Sequence, residues 1–209
     1  MKPDRRYRHI LEFIHCRCAP DLLALRVFPN SKEITESVGA LRAATKYIPW
    51  AAVGDRDITA VCVGDGCTPR TAALVVHMTG WAAISIDPRM RRTDWPQVRR
   101  MKVQACRAED AEYPYMDRCI VISVHSHADL RMSIPIIMDK TRMALAVVSL
   151  PCCVPQVLPG GRLPDIDYHD PAILSEKDRV LIWKHIQLER TDGYKTKDGR
   201  DEAKSTITA

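Results

Sequence analysis

Four groupings in this 209-residue chain have the residue types and spacing to do chemistry. The first is Gly64-Asp65-Gly66, which ends the apolar run Ile58–Val63 and is followed by Thr68 and Pro69. Glycine accepts positive φ and has no Cβ, so a ligand can lie against such a turn, and a helix starting there offers N–H groups to negative or polar atoms. Thr68 is placed to cap that helix and Pro69 to open it, because a proline at the first helical position gives up only an N–H that has no intrahelical partner. The second grouping is Asp87, 21 positions beyond Gly66 and at the end of the next apolar run. Dinucleotide-binding folds place an acid there to accept hydrogen bonds from ribose hydroxyls. The dinucleotide fingerprint G-x-G-x-x-G would need its third glycine at Pro69, so a nucleotide-like ligand without a pyrophosphate is favoured. A plainer alternative is a glycine turn between strand and helix, with Asp87 capping the next segment.

The third grouping is His125, Ser126, His127 and Asp129. Imidazole titrates near neutral pH and a carboxylate can fix its tautomer, so this set could supply a base or orient a substrate. The plainer alternative has His125 closing the sheet and Asp129 capping the next helix. The fourth is Cys152 and Cys153. With the two histidines they are zinc-binding types, yet adjacent cysteines do not easily face one tetrahedral ion and no C-x-x-C spacing exists. The expectation is no metal and a reduced pair lining a pocket.

These groups need a scaffold, and the hydrophobic pattern supplies one. Short apolar runs at Ile58–Val63, Trp81–Ile86, Lys102–Cys106, Cys119–Val124 and Met143–Leu150 predict strands, and Val180–Ile186 a sixth. Punctuated segments between them, with Leu130–Thr141 as a crossover helix that Pro135 should kink or delay, predict an α/β fold. Its central sheet is mostly parallel, with helices on both faces. Upstream, Ile10, Leu11, Phe13 and Ile14 mark a helix within Arg6 to Cys18. A second helix runs from a cap at Ser31 to about Tyr47, with Glu33 and Glu36 near the positive end of its dipole. Residues 1–50 are thus expected to form a helical extension on a Rossmann-like domain of residues 51–190. Residues 191–209 have almost nothing to bury and are expected to be a disordered tail.

With these elements in place, "VGDGCTPRT" followed by "SIDP" resembles motifs I and II of class I S-adenosylmethionine-dependent methyltransferases, whose fold is Rossmann-like. The likeness runs from about Ile58 to Cys153 and is strong only through Pro88. It implies that Gly64, Asp65 and Gly66 line S-adenosyl-L-methionine and that Asp87 holds its ribose. It also implies that one of Ala108, Glu109 or Asp110, in "CRAED" after the third strand, lies beside the adenine. "VHSHADL" resembles the H-x-C-G-D-L ending of strand four in a divergent branch of that family, whose strand five often closes on a Cys-Cys pair. No N-P-P-Y or D-P-P-Y motif, used by amino-nucleobase methyltransferases, is present. The chain departs from the family at Cys67-Thr68-Pro69, where a further glycine is frequent.

Composition narrows the partners. The chain is 46% apolar and 27% charged, and its longest apolar runs fall well short of the ~20 residues that a bilayer span needs. The start, basic and then briefly apolar, does not read as a secretory signal, and eight cysteines without a small secreted framework read as reduced thiols in a cytoplasmic setting. A net charge of +5, with arginines at positions 5, 6 and 8 and again at 89, 91, 92, 99 and 100, suits RNA or another anionic substrate. A solvated surface explains the same arginines more simply, and the scattered aromatics build no stacking platform for RNA. The expected activity is methyl transfer to an acceptor, RNA slightly ahead of protein or a small molecule. Rival readings are a non-catalytic subunit of the same fold and a nicotinamide-dependent oxidoreductase, the latter disfavoured by Pro69.

Overall fold

The computed structural model describes residues 4–154 and 156–186; the expected tail at 191–209 lies outside them. Helices α1 (Arg8–His15), α2 (Ala19–Ala24) and α3 (Ser31–Tyr47) precede β1 (Ile58–Val63), α4 (Arg70–Met78), β2 (Ala82–Ile86), β3 (Met101–Gln104) and β4 (Met116–Val124). Then come α5 (Leu130–Asp139), β5 (Thr141–Leu150), β6 (Ile166–His169) and β7 (Arg179–Trp183). The strands form one seven-stranded sheet in the order β3-β2-β1-β4-β5-β7-β6. Neighbours from β3 to β5 are parallel, whereas β7 runs antiparallel to both β5 and β6. The fold is therefore α/β, with a mostly parallel Rossmann-like sheet.

Alternation along the strands divides the core in two, because successive side chains point to opposite faces. Ile58, Ala60 and Cys62 of β1 join Ile120, Ile122, Ala146 and Val148 on the face covered by α1 to α4. Val61 and Val63 join Val121, Val147, Leu181 and Trp183 on the face covered by α5, where Leu130, Ile134 and Ile137 pack. Strands buried on both sides read as continuous apolar runs, which is why β1 is legible to the residue.

Elsewhere the structure corrects the expectation. The first helix is broken: a short 3₁₀ turn at Arg5–Tyr7 leads into α1, which stops at His15, and α2 follows separately. Asn30, not Ser31, caps α3, its side-chain oxygen accepting from the Glu33 N–H at 3.1 Å. Pro135 lies inside α5 without delaying its start, which Asp129 caps. The sixth strand is one arm of an antiparallel hairpin; its partner β6 reads Ile-Asp-Tyr-His, and half-exposed residues alternate with exposed ones, so no apolar run announces it.

Helix α3 is the spine of the covered face. Its residues from Ile34 to Leu41 are all buried between the sheet and α1. Small residues permit this, and a Cβ on Gly39 would come within 2.9 Å of Ile173 and 3.4 Å of His9 Nε2. That histidine, fully buried, meets Asp170 Oδ2 at 2.9 Å, and Asp170 also accepts two hydrogen bonds from Arg8 at 3.1 Å. The segment between β6 and β7 is thereby pinned to α1. Asp170→Ala would leave the His9 ring buried without its partner, and a loss of about 3 kcal/mol is expected in urea unfolding. Wild-type stability in that variant would show that the pair contributes nothing.

Candidate functional site

In an open parallel sheet, ligands sit beyond the carboxyl ends of the strands, where the loops diverge. Here a cleft of about 520 Å³ opens at that edge, between the ends of β1, β2, β3 and β4. Of the residues expected to bind a cofactor, Gly64, Asp87, Ala108 and Glu109 line it, and so do His125, Ser126, His127 and Asp129. Asp65 and Gly66 do not line it.

The turn after β1 is built around Asp65, whose carboxylate points away from the cleft. It accepts hydrogen bonds from the Thr71 N–H at 2.9 Å, the Ala72 N–H at 3.1 Å and the Ser85 hydroxyl at 2.8 Å. Burial pushes its pKa up to about 6, against the lowering effect of those donors. This side chain takes the capping role expected of Thr68, whose hydroxyl instead donates to the Val27 carbonyl at 2.7 Å. Pro69 is the residue before the helix rather than its first. The expectation of free helix N–H groups is overturned with it. The Arg70 N–H bonds to Thr68, those of Thr71 and Ala72 to Asp65, and that of Ala73 to Pro69, so the start of α4 already holds a carboxylate and presents no phosphate cradle.

Gly64 is required by contact and by conformation. Its φ is +70°, and an added Cβ would overlap the Ser126 hydroxyl and lie 2.5 Å from Ser126 Cβ. The close approach is between β1 and the loop after β4, and that loop is held firmly. His125 adopts φ +48°, its N–H donates to the Leu150 carbonyl at 2.8 Å, and the Ser126 hydroxyl accepts from the Ala128 N–H at 3.0 Å. Gly64→Ala is expected to destabilise the fold by about 2 kcal/mol, from positive φ and overlap together. Ser126→Gly by itself loses the Ala128 hydrogen bond, but in the double variant it relieves the overlap, so the double variant should be more stable than the sum of the two single losses predicts by about 1 kcal/mol. Strictly additive losses in chemical unfolding would contradict this account of the glycine.

Asp87 stands at the end of β2 with its carboxylate shared between fold and cleft. Oδ2 accepts from the Gly66 N–H at 2.9 Å and Oδ1 from the Arg89 N–H at 2.7 Å. The plainer alternative, a cap for the next segment, is therefore part of what it does. A carboxylate has about four acceptor positions, so two remain for a ligand. After β3, a 3₁₀ turn at Ala108–Asp110 puts buried Ala108 on the cleft wall, fixed by the Tyr113 hydroxyl donating to its carbonyl at 2.6 Å. Glu109 lines the same wall, whereas Asp110 does not.

The histidine segment separates into roles. His125 turns towards α3, where Nε2 lies 3.0 Å from Oε1 of the buried Glu36. Asp129 caps α5 through the Arg131 N–H at 2.9 Å and also pairs with the Arg131 guanidinium at 2.7 Å. His127 is exposed, its Nε2 3.3 Å from the Cys153 sulfur. Glu36 is the residue that sequence reasoning placed elsewhere. Its place near the helix start suggests a partner for the dipole, but α3 is buried all round at this level, and only its position two residues after Ile34 in a run of small and apolar residues hints at that.

No family model matches the chain, and no curated protein matches it. Among solved structures, it is similar to a 1,6-didemethyltoxoflavin-N1-methyltransferase of Burkholderia thailandensis, solved with 1,6-didemethyltoxoflavin and S-adenosylhomocysteine. Identity is 13%, coverage is 87% of this chain and 75% of that one, and the TM-score is 0.37. It is also similar to LaPhzM, at 16% identity, 77% and 54% coverage and a TM-score of 0.32. At these values neither likeness says anything of ligand or chemistry, and function has to be read from the cleft itself. The Cys152–Cys153 pair marks no family, and among the described residues no helix is long and apolar enough to cross a membrane.

Proposed function

We propose that the cleft binds S-adenosyl-L-methionine and that the chain is a methyltransferase. The observation that carries this is Asp87, a buried carboxylate at the end of β2 with acceptor capacity left over, beside a helix start that is already occupied by Asp65. Such a site suits a ribose-bearing ligand and repels a pyrophosphate-bearing one. The sheet supports the same choice. A dinucleotide fold carries a second run of parallel strands beyond β4, and here that half ends after β5 in an antiparallel hairpin. This argues against the nicotinamide reading on grounds independent of Pro69.

The residues present fit the cofactor. Asp87 would take the ribose hydroxyls, Ala108 and Glu109 would flank the base, and Gly64 leaves the cleft floor without a side chain. When bound, the sulfonium supplies an activated methyl group. What the chain contributes is positioning. His125, Ser126 and Asp129 each hold the loops that wall the acceptor side, so the gain expected from them is orientation rather than proton transfer. Arg89 and Arg107 line the cleft, each loosely paired with a carboxylate there, Arg89 with Asp87 at 3.7 Å and Arg107 with Glu109 at 4.0 Å; both side chains stay mostly exposed and so are free to turn to an acceptor that carries negative charge. RNA is the macromolecular case of that class, and a small anionic metabolite the other.

Incubation of the chain with methyl-labelled S-adenosylmethionine and separated cell fractions tests the reading. Label is expected in an anionic small-molecule or RNA fraction, and neutralising Arg89 and Arg107 together should reduce it about tenfold. Cofactor binding without transfer to any fraction would overturn the enzyme in favour of a binding subunit of the same fold.

A further inference from the structure

Strands β4 and β5 are paired in register up to Val124 opposite Leu150, and the His125 N–H continues the ladder to the Leu150 carbonyl. The residues just beyond must therefore meet, and the sequence places His127 after one strand and Cys152-Cys153 after the other. One ligand atom from each lies within 4.8 Å of the other two. The Cys152 and Cys153 sulfurs are 3.7 Å apart, and the Cys153 sulfur is 3.3 Å from His127 Nε2.

Those separations have a meaning for metal chemistry. With Zn–S of about 2.3 Å and Zn–N of about 2.0 Å at tetrahedral angles, two sulfurs sit about 3.8 Å apart and a sulfur and a nitrogen about 3.5 Å apart. The pair of neighbouring cysteines, expected from their adjacency to face apart, here presents both sulfurs along one edge of such a tetrahedron. The sulfur separation is also far beyond the ~2.05 Å of a disulfide bond. Cys152, half-buried, also donates to the His125 carbonyl at 3.6 Å and so helps join the two loops, whereas Cys153 and His127 are exposed and their contact adds no core packing.

We propose that His127 Nε2, Cys152 Sγ and Cys153 Sγ form a three-donor site for a zinc-type thiophilic cation, with the fourth position open. Binding releases one proton from each thiol to solvent, and the two thiolates cancel the charge of a divalent ion. Three protein ligands and one exchangeable position describe an open site rather than a closed structural one. It sits on the ridge between two hollows, since His127 lines the proposed cofactor cleft and the cysteines line a neighbouring depression of about 280 Å³ with Glu176 and Asp178.

Titration of the reduced, desalted full chain with Co²⁺ tests this without reference to any activity. One equivalent should produce a thiolate-to-cobalt charge-transfer band and the intense visible bands of tetrahedral cobalt, which Zn²⁺ then removes stoichiometrically. Cys153→Ser and His127→Ala should each weaken binding by more than the ~10–100-fold that loss of an outer hydrogen-bond partner costs. A second thiol pair, Cys16 and Cys18, lies 2.7 Å apart on the N-terminal segment, and serine at both should leave the spectrum unchanged. Absence of the band, its persistence in Cys153→Ser, or its loss in the Cys16 and Cys18 double variant would overturn the site. None of these outcomes bears on cofactor binding, so the two readings stand or fall separately.

Discussion

Replacing Asp65 with alanine is expected to cost about 4 kcal/mol of folding stability near neutral pH, the largest loss of any single change considered. The buried carboxylate satisfies two N–H groups of the first turn of α4 and the Ser85 hydroxyl of β2. Each donor left without a partner in the core costs on the order of 1–3 kcal/mol, and removal of the acceptor's own burial cost offsets part of the sum. The pH dependence separates this from simple loss of packing. Because burial raises the pKa of Asp65 from 3.8 to about 6, the folded chain holds a proton that the unfolded chain has released across that interval. Its contribution to stability therefore falls as pH rises from about 4 to about 6, by about 3 kcal/mol for a shift of that size. Urea unfolding at several pH values should show wild type losing stability across this window relative to Asp65→Ala, so the gap between them narrows towards neutral pH. A gap that is constant with pH, or that widens, would contradict the buried acid described here.

Asp87→Ala is expected to weaken S-adenosylhomocysteine binding by on the order of 1000-fold, about 4 kcal/mol, if two ribose hydroxyls donate to one carboxylate. Asp87 also braces the glycine turn through Gly66 and the following turn through Arg89, so the alanine variant loses some stability as well. Asp87→Asn separates the effects. It keeps an oxygen for one of those N–H groups, sets an amide against the other and carries no charge, so a loss of roughly 10–100-fold in affinity with a smaller loss of stability than in the alanine variant is expected. Unchanged affinity in a well-folded Asp87→Asn protein would mean that the carboxylate serves the turn alone.

The strands were legible wherever both faces are buried. In β1, β4 and β5 the apolar runs leave little room for another reading, and the bounds differ from expectation mainly at the starts of β4 and β5, where charged residues interrupt the run. β6 escaped because an edge strand with one half-exposed face carries no run, and its hairpin with β7 depends on pairing across a loop. In the site, Asp87 and the glycine turn were visible because strand, turn and acid obey a fixed spacing. The roles inside the turn were not. Whether Thr68 or Asp65 caps α4 is decided by which oxygen reaches the helix once β1 and β2 are packed, and Ser85 and Val27, remote in sequence, settle it. Glu36 was invisible for the same kind of reason: helix position alone gives a carboxylate near a dipole, and only tertiary packing brings His125 to it. The cysteine pair was judged by adjacency, whereas the backbone bend after β5 and the register with β4 determine where the sulfurs point.

Calorimetric titration of the wild-type chain with S-adenosylhomocysteine, and separately with NADH, tests the central claim most directly. Saturable binding of S-adenosylhomocysteine at one site per chain, with NADH binding at least about tenfold more weakly, is the expected result; this ratio corresponds to about 1.4 kcal/mol. No binding of S-adenosylhomocysteine, or tighter binding of NADH, would contradict it.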